Sequence, residues 1–164
     1  MGVFSFDIGT AGRRAVMAGI ASLALAGGLA SAAPAGAPRV LFVCQYGSVK
    51  SPIARELLRR RARERGIAVD AFSRGITPEA HLPPAIAALL LAEGIDPARD
   101  GLHGLTPQDL EAADTVAFFN PLPAGLRAPR TEDWTSVPSV LDAYPAAIAD
   151  MKQRVELFLD RIAR

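Results

Sequence analysis

From residue 38 onward, short apolar runs alternate with stretches of helical periodicity, which is the pattern of a chain that folds by alternating strand and helix. Residues 39–44 (RVLFVC) are apolar at every position after the first, as in a parallel strand covered on both faces. A polar stretch, 45–50, follows. Ser51-Pro52 then opens a helix, with serine as cap and proline in the first turn, where its missing N–H costs nothing. That helix runs through Arg65 and stops at Gly66. The pattern predicts a second strand over 69–73 and a second helix over 83–93, closed by Gly94, Ile95 and Asp96. Thr106-Pro107 caps a short third helix through Ala112, residues 114–119 read as another strand, and a proline-rich loop covers 120–138. The closing helix starts at Tyr144 or Pro145 and ends at Ile162, with Ile148, Met151, Val155, Leu159 and Ile162 along one side. These elements predict a small doubly wound sheet whose right-handed crossovers place ligand sites at the carboxyl ends of the strands. Cys44 stands at such an end.

The first residues follow a different pattern. Arg13 and Arg14 precede a run of Ala, Gly, Leu and Ile over 15–29, and Ala30-Ser31-Ala32 follows it. This is the anatomy of an export signal over 1–32, with cleavage after Ala32 or as late as residue 37. The paired arginines suggest the twin-arginine route, and an uncleaved anchor is the competing reading, weakened by the run's alanine and glycine content. The expectation is therefore an exported protein, periplasmic or secreted, with no stable membrane insertion once the signal is removed. What remains, 38–164, is long enough for one domain.

Charge changes the picture little. The chain has 18 Lys and Arg against 17 Asp and Glu, and residues 1–32 carry Arg13, Arg14 and Asp7, so their removal leaves 16 of each sign. No global field argues for nucleic acid. The arginine run 59–61, with Arg55, Arg63 and Arg65, is interleaved by Glu56 and Glu64 and reads as a solvated helix face. His81 and His103 are too few and too separated for a metal centre, and no cofactor motif occurs. Nothing in the sequence sets an oligomeric state.

The one cysteine, Cys44, excludes an internal disulfide, a two-cysteine redox pair and a cysteine zinc site. It is either a buried structural thiol or a reagent. A loop between a strand end and a helix start turns backbone N–H groups inward, and the helix N-terminus adds partial positive charge. That field welcomes an anion and favours the thiolate form of a cysteine placed there. Gly47 supplies a residue able to take positive φ, and Ser51 can give its hydroxyl to the sulfur.

The order strand, Cys44, five residues, Lys50-Ser51-Pro52, helix resembles the low-molecular-weight protein tyrosine phosphatase and arsenate reductase family, whose signature is Cys-x5-Arg-Ser. Phe72-Ser73-Arg74-Gly75 falls where the family has its Ser-Ala-Gly turn, and Gly94-Ile95-Asp96 matches its post-helix turn. Residues 105–114, then Trp134 to Pro138 and the final helix, resemble the rest of the family's chain. The resemblance implies an α/β fold, a small doubly wound four-stranded parallel sheet with helices on both faces. It also implies a cysteinyl-phosphate mechanism with Cys44 as nucleophile, Lys50 as clamp, Ser51 as thiolate partner and Ser73 supporting the loop. Gln45, Tyr46, Gly47, Ser48 and Val49 would form the cradle. Tyr46 either walls the pocket for an aromatic substrate or lies on the surface.

Two positions depart from the family. Lys50 replaces its arginine, keeping the charge without the planar fork. Val137-Pro138-Ser139-Val140 stands where the family has an Asp-Pro pair, so the acid is expected from Asp142 on a shifted loop, with Asp133 a poorer candidate. Arg74, in place of a small residue, either lends the missing fork or faces solvent. The expected function is hydrolysis of phosphotyrosine or small aryl phosphates at reduced activity. The expected partner is thus a phosphorylated protein or an aryl phosphate. The alternatives are a non-catalytic oxyanion-binding module and an arsenate reductase dependent on an external thiol.

Overall fold

A computed structural model of the protein describes residues 36–92, 94–96 and 101–163. The export segment expected over 1–32 lies outside them. In chain order the elements are β1 (Arg39–Cys44), α1 (Lys50–Glu64), β2 (Asp70–Gly75), α2 (Pro84–Ala92), α3 (Pro107–Ala112), β3 (Thr115–Phe118), β4 (Thr131–Asp133) and α4 (Tyr144–Ile162). The four strands form one parallel sheet in the order β2-β1-β3-β4. β1 therefore lies where the strand order reverses, the position at which doubly wound sheets bind ligands.

Both faces of the sheet are covered, which explains the apolar run in β1. Val40, Phe42 and Cys44 point into a large core completed by Ile53, Leu57 and Leu58 of α1, Ile86 and Leu90 of α2, and Met151, Val155 and Leu159 of α4. Leu41 and Val43 point the other way and meet Val116 of β3 and Leu110 of α3. With a period of two residues, one strand feeds both layers. In α4, Ile148 and Ile162 extend the expected apolar side as half-buried neighbours of the same core.

Three details differ from the sequence expectation. α1 begins at Lys50 rather than after Ser51, and no side chain caps it. Ser51 is diverted from capping because its hydroxyl points at Cys44 and at the Arg74 carbonyl. β2 runs two residues beyond Ser73, because Val43 and Cys44 pair in register with Arg74 and Gly75. The stretch 120–138, expected as loop, contains β4, a three-residue edge strand of Thr, Glu and Asp whose polar sequence carries no apolar pattern. No helix among the described residues is long and apolar enough to cross a membrane.

Candidate active site

The loop 45–49 gets its shape from the segment that follows β2. Ile76, Thr77 and Glu79 donate their N–H groups to the carbonyls of Cys44, Gln45 and Tyr46, at 3.0, 2.8 and 3.1 Å. In a trans peptide the C=O and the next N–H point in opposite directions. Fixing those three carbonyls therefore turns the N–H groups of Gln45, Tyr46 and Gly47 to the other side. Gln45 N–H meets Asn120 Oδ1 at 2.9 Å, at the end of β3, and Gly47 N–H meets Cys44 Sγ at 3.2 Å. The N–H groups of Tyr46, Ser48, Val49 and Lys50 have no partner among the described residues. With the uncapped start of α1, they leave a run of backbone donors of the kind that suits an oxyanion.

Two glycines allow this packing. Gly47 has φ +70°, the left-handed conformation that favours glycine. A Cβ there would lie 2.8 Å from Gly75 N, and one on Gly75 would lie 2.7 Å from Gly47 N and from the Tyr46 carbonyl carbon. Loop and strand end thus touch backbone to backbone.

Cys44 is buried beside the helix start, with Ser51 Oγ 3.1 Å from its sulfur. The single hydroxyl proton of Ser51 has two acceptors, the sulfur and Arg74 O at 3.3 Å. When the sulfur is a thiolate, the proton turns to it and stabilises the charge. Lys50 Nζ donates to Val137 O at 2.7 Å and lies 5.9 Å from the centroid of the Phe119 ring. Burial holds the Lys50 pKa below the ordinary lysine range, and electrostatic attraction to Cys44 partly opposes that shift.

The remaining expected residues fall as follows. Gln45 Nε2 bonds Thr77 Oγ1 at 2.9 Å, and Tyr46 is half exposed at the loop's tip. Ser48 is buried and donates to Glu79 Oε2 at 2.6 Å, while Val49 packs against the core as the residue before α1. Ser73 Oγ accepts from Arg55, which, with its partner Glu56, is buried rather than on the solvated helix face expected for it, because the two charges pair and Ser73 takes a further N–H. The Arg74 guanidinium is taken up elsewhere: it pairs with Asp109 at 2.8 Å and stacks over Phe72. Burial raises the Asp109 pKa, but hydrogen bonds from Arg74 and from Thr106 together outweigh it and hold the carboxylate below its usual range. Asp142 is exposed, and its N–H points at Ser139 Oγ 3.4 Å away. Thr135 donates to Asp133 from both backbone and hydroxyl, which depresses its pKa and makes it a poor proton donor. Trp134 is a core anchor, edge-on to Phe42 and Phe119.

Ile76, Thr77, Glu79 and Asn120 are contacts of the loop that sequence reasoning did not single out. Asn120 had a signal, since it closes the strand predicted over 114–119; Ile76, Thr77 and Glu79 had none. A cysteine sulfur at the end of β1, beside a helix N-terminus and a run of N–H groups without partners among the described residues, is the arrangement that attack on a bound oxyanion requires.

The low molecular weight phosphotyrosine protein phosphatase model matches residues 39–121, which hold the whole loop and both flanking strands. The chain belongs to this family. Among solved structures, YfkJ from Bacillus subtilis is similar at TM-score 0.64 and 21% identity, over 79% of this chain and 97% of that one. A low molecular weight protein tyrosine phosphatase from T. tengcongensis is similar at TM-score 0.56 and 23% identity, over 76% and 99%. An arsenate reductase in a phosphate-binding state is similar at 0.59 and 19%, over 76% and 98%. These likenesses show the shared fold. No curated protein sequence matches the chain. Within the family's loop, the departures at Lys50 and Ser139 now have surroundings: one cation bonded to a backbone carbonyl, and a serine two residues further on.

Proposed function

We propose that the protein hydrolyses phosphotyrosine or aryl phosphate monoesters through a cysteinyl-phosphate, at a reduced rate, outside the cytoplasm. The observation that carries this reading is Cys44 Sγ receiving the Gly47 N–H at 3.2 Å inside a loop whose Tyr46, Ser48, Val49 and Lys50 N–H groups have no partner among the described residues and so suit a phosphate. The thiolate attacks phosphorus, and the S–P bond forms as the bond to the phenolic oxygen breaks. Loop N–H groups and Lys50 hold the equatorial oxygens, and Ser51 stabilises the sulfur when water later releases phosphate. Export is supported by the apolar run behind Arg13 and Arg14.

The rate is reduced for two reasons. Lys50 offers point-charge contacts where a planar fork would grip two oxygens. Ser139 supplies no proton to the leaving group, a contribution typically worth ~10²–10⁴ in rate, less for a phenol. Those same two features favour a second reading, a module that binds phosphate without turning it over. Release of p-nitrophenol from p-nitrophenyl phosphate, inhibited by vanadate and abolished in Cys44→Ser, supports hydrolysis. Phosphate binding with turnover equal to that of Cys44→Ser supports the binding module and removes the enzyme reading.

A further inference from the structure

Glu79 is a carboxylate bonded directly to the loop that should hold an anion. Its Oε2 accepts from Ser48 Oγ at 2.6 Å, and its N–H binds Tyr46 O, so the side chain is anchored at the wall of the cradle by both ends. Among the described residues, the charged side chains at the loop are Lys50, at its end, and Glu79, bonded to Ser48; Arg74 is paired with Asp109. With Cys44 as thiolate, the cradle carries one net negative charge before substrate enters. A dianionic phosphate monoester adds two more, against a run of dipoles and a single ammonium. Such a balance disfavours a free dianion and favours a substrate that brings its own positive charge to the rim.

Resting on the phosphatase reading above, we propose that Glu79 is a specificity-determining residue that selects phosphotyrosine flanked by basic side chains. The half-exposed carboxylate has its other oxygen without a partner among the described residues, so a flanking guanidinium or ammonium can pair with it as the phosphate enters the loop. Tyr46, exposed beside it, offers the aromatic surface along which the phenol ring lies.

The test is binding, so that it does not depend on turnover. Fluorescence anisotropy would compare labelled peptides carrying a non-hydrolysable phosphonate analogue of phosphotyrosine, with Arg or Glu flanks, on full-length protein that retains Cys44, at low salt. The Arg-flanked peptide should bind on the order of five- to tenfold more tightly, the size expected for unit charges at rim distance in a partly solvated site. Adding Glu79→Gln should shrink that gap to within about twofold by improving the Glu-flanked peptide, whereas Glu79→Asp should keep it. An unchanged gap in Glu79→Gln, or equal binding of the unphosphorylated Arg peptide, overturns the proposal. An Arg preference that depends on Glu79, found in a protein that releases no p-nitrophenol, removes hydrolysis and leaves Glu79's role standing.

Discussion

The contact between Gly47 and Gly75 gives the sharpest test of how the loop is built. Gly75→Ala puts a Cβ 2.7–2.8 Å from Gly47 N and from the carbon and oxygen of Tyr46, where ordinary contact begins at 3.4 Å. All three atoms are backbone, so no side chain can swing away to relieve the overlap. Relief requires moving the loop off the end of β2, against the bonds from Ile76 and Thr77 that fix its carbonyls. Overpacking of this kind costs about 1–3 kcal/mol. For a domain of ~130 residues that lowers Tm by about 4–10 °C. Gly47→Ala meets the same wall from the other side and adds about 1–2 kcal/mol for a side chain at positive φ. Because one displacement opens the space for both methyls, the double variant should lose less than the two single losses combined, by about 1 kcal/mol or more. Scanning calorimetry reads the stability, and titration with inorganic phosphate reads the loop, whose Gly47 N–H should drift from Cys44. A Gly75→Ala protein that melts within about 1 °C of wild type and binds phosphate equally well would refute this account. So would strictly additive losses.

The other expectations are independent of that contact. Lys50→Arg should raise kcat/KM for p-nitrophenyl phosphate by roughly tenfold or more, one extra charge-assisted hydrogen bond in the transition state. It should also flatten the alkaline loss of phosphate affinity. In wild type that affinity falls as pH climbs through a Lys50 pKa lowered by burial, whereas a guanidinium keeps its charge; calorimetric titration between pH 7 and 10 separates the two. Ser139→Asp should speed turnover of alkyl phosphates more than of p-nitrophenyl phosphate, by roughly tenfold in the ratio, since only a poor leaving group needs the proton. Arg55→Met should destabilise the fold by about 3 kcal/mol in urea titration, because it leaves Glu56 buried with one cation fewer.

Much of this was legible in the sequence because the signals were local. The apolar run ending at Cys44, the glycine at 47 and the proline in the first turn of α1 each carry their physics within a few residues. The loop's surroundings were not legible, since they depend on which segments cross in space. Lys50 finds Val137, 87 residues away, and Ser48 finds Glu79, 31 away. Arg74 lay open between two roles because an arginine near a strand end pairs with whatever carboxylate the third helix brings up, and here that is Asp109. β4 escaped notice because an edge strand of three polar residues gains its backbone partner without any apolar pattern. Ser51 read as a cap because serine usually caps, and only the position of the sulfur shows why its hydroxyl turns inward instead.

On the function proposed above, the placement of Lys50 would let an anion site persist while its catalytic strength declines. An ammonium has three donors. One is spent on Val137 O, which lies two residues before Ser139, and at most two remain for an anion in the loop. Two donors from a point charge suffice to hold phosphate alongside the run of N–H groups, because ground-state binding asks only for compensation of charge. Stabilising the flattened transition state asks more: donors fixed in the equatorial plane before the reaction, in a geometry that a rotating ammonium does not impose. The same bond ties the 137–140 segment to the loop, so the cation that neutralises the phosphate also sets how near residue 139 comes to it. Binding and chemistry therefore respond differently to Lys50. Removing its charge weakens both, whereas giving it a fork strengthens the transition state and frees Val137. On that argument, Lys50→Arg should change kcat more than KM.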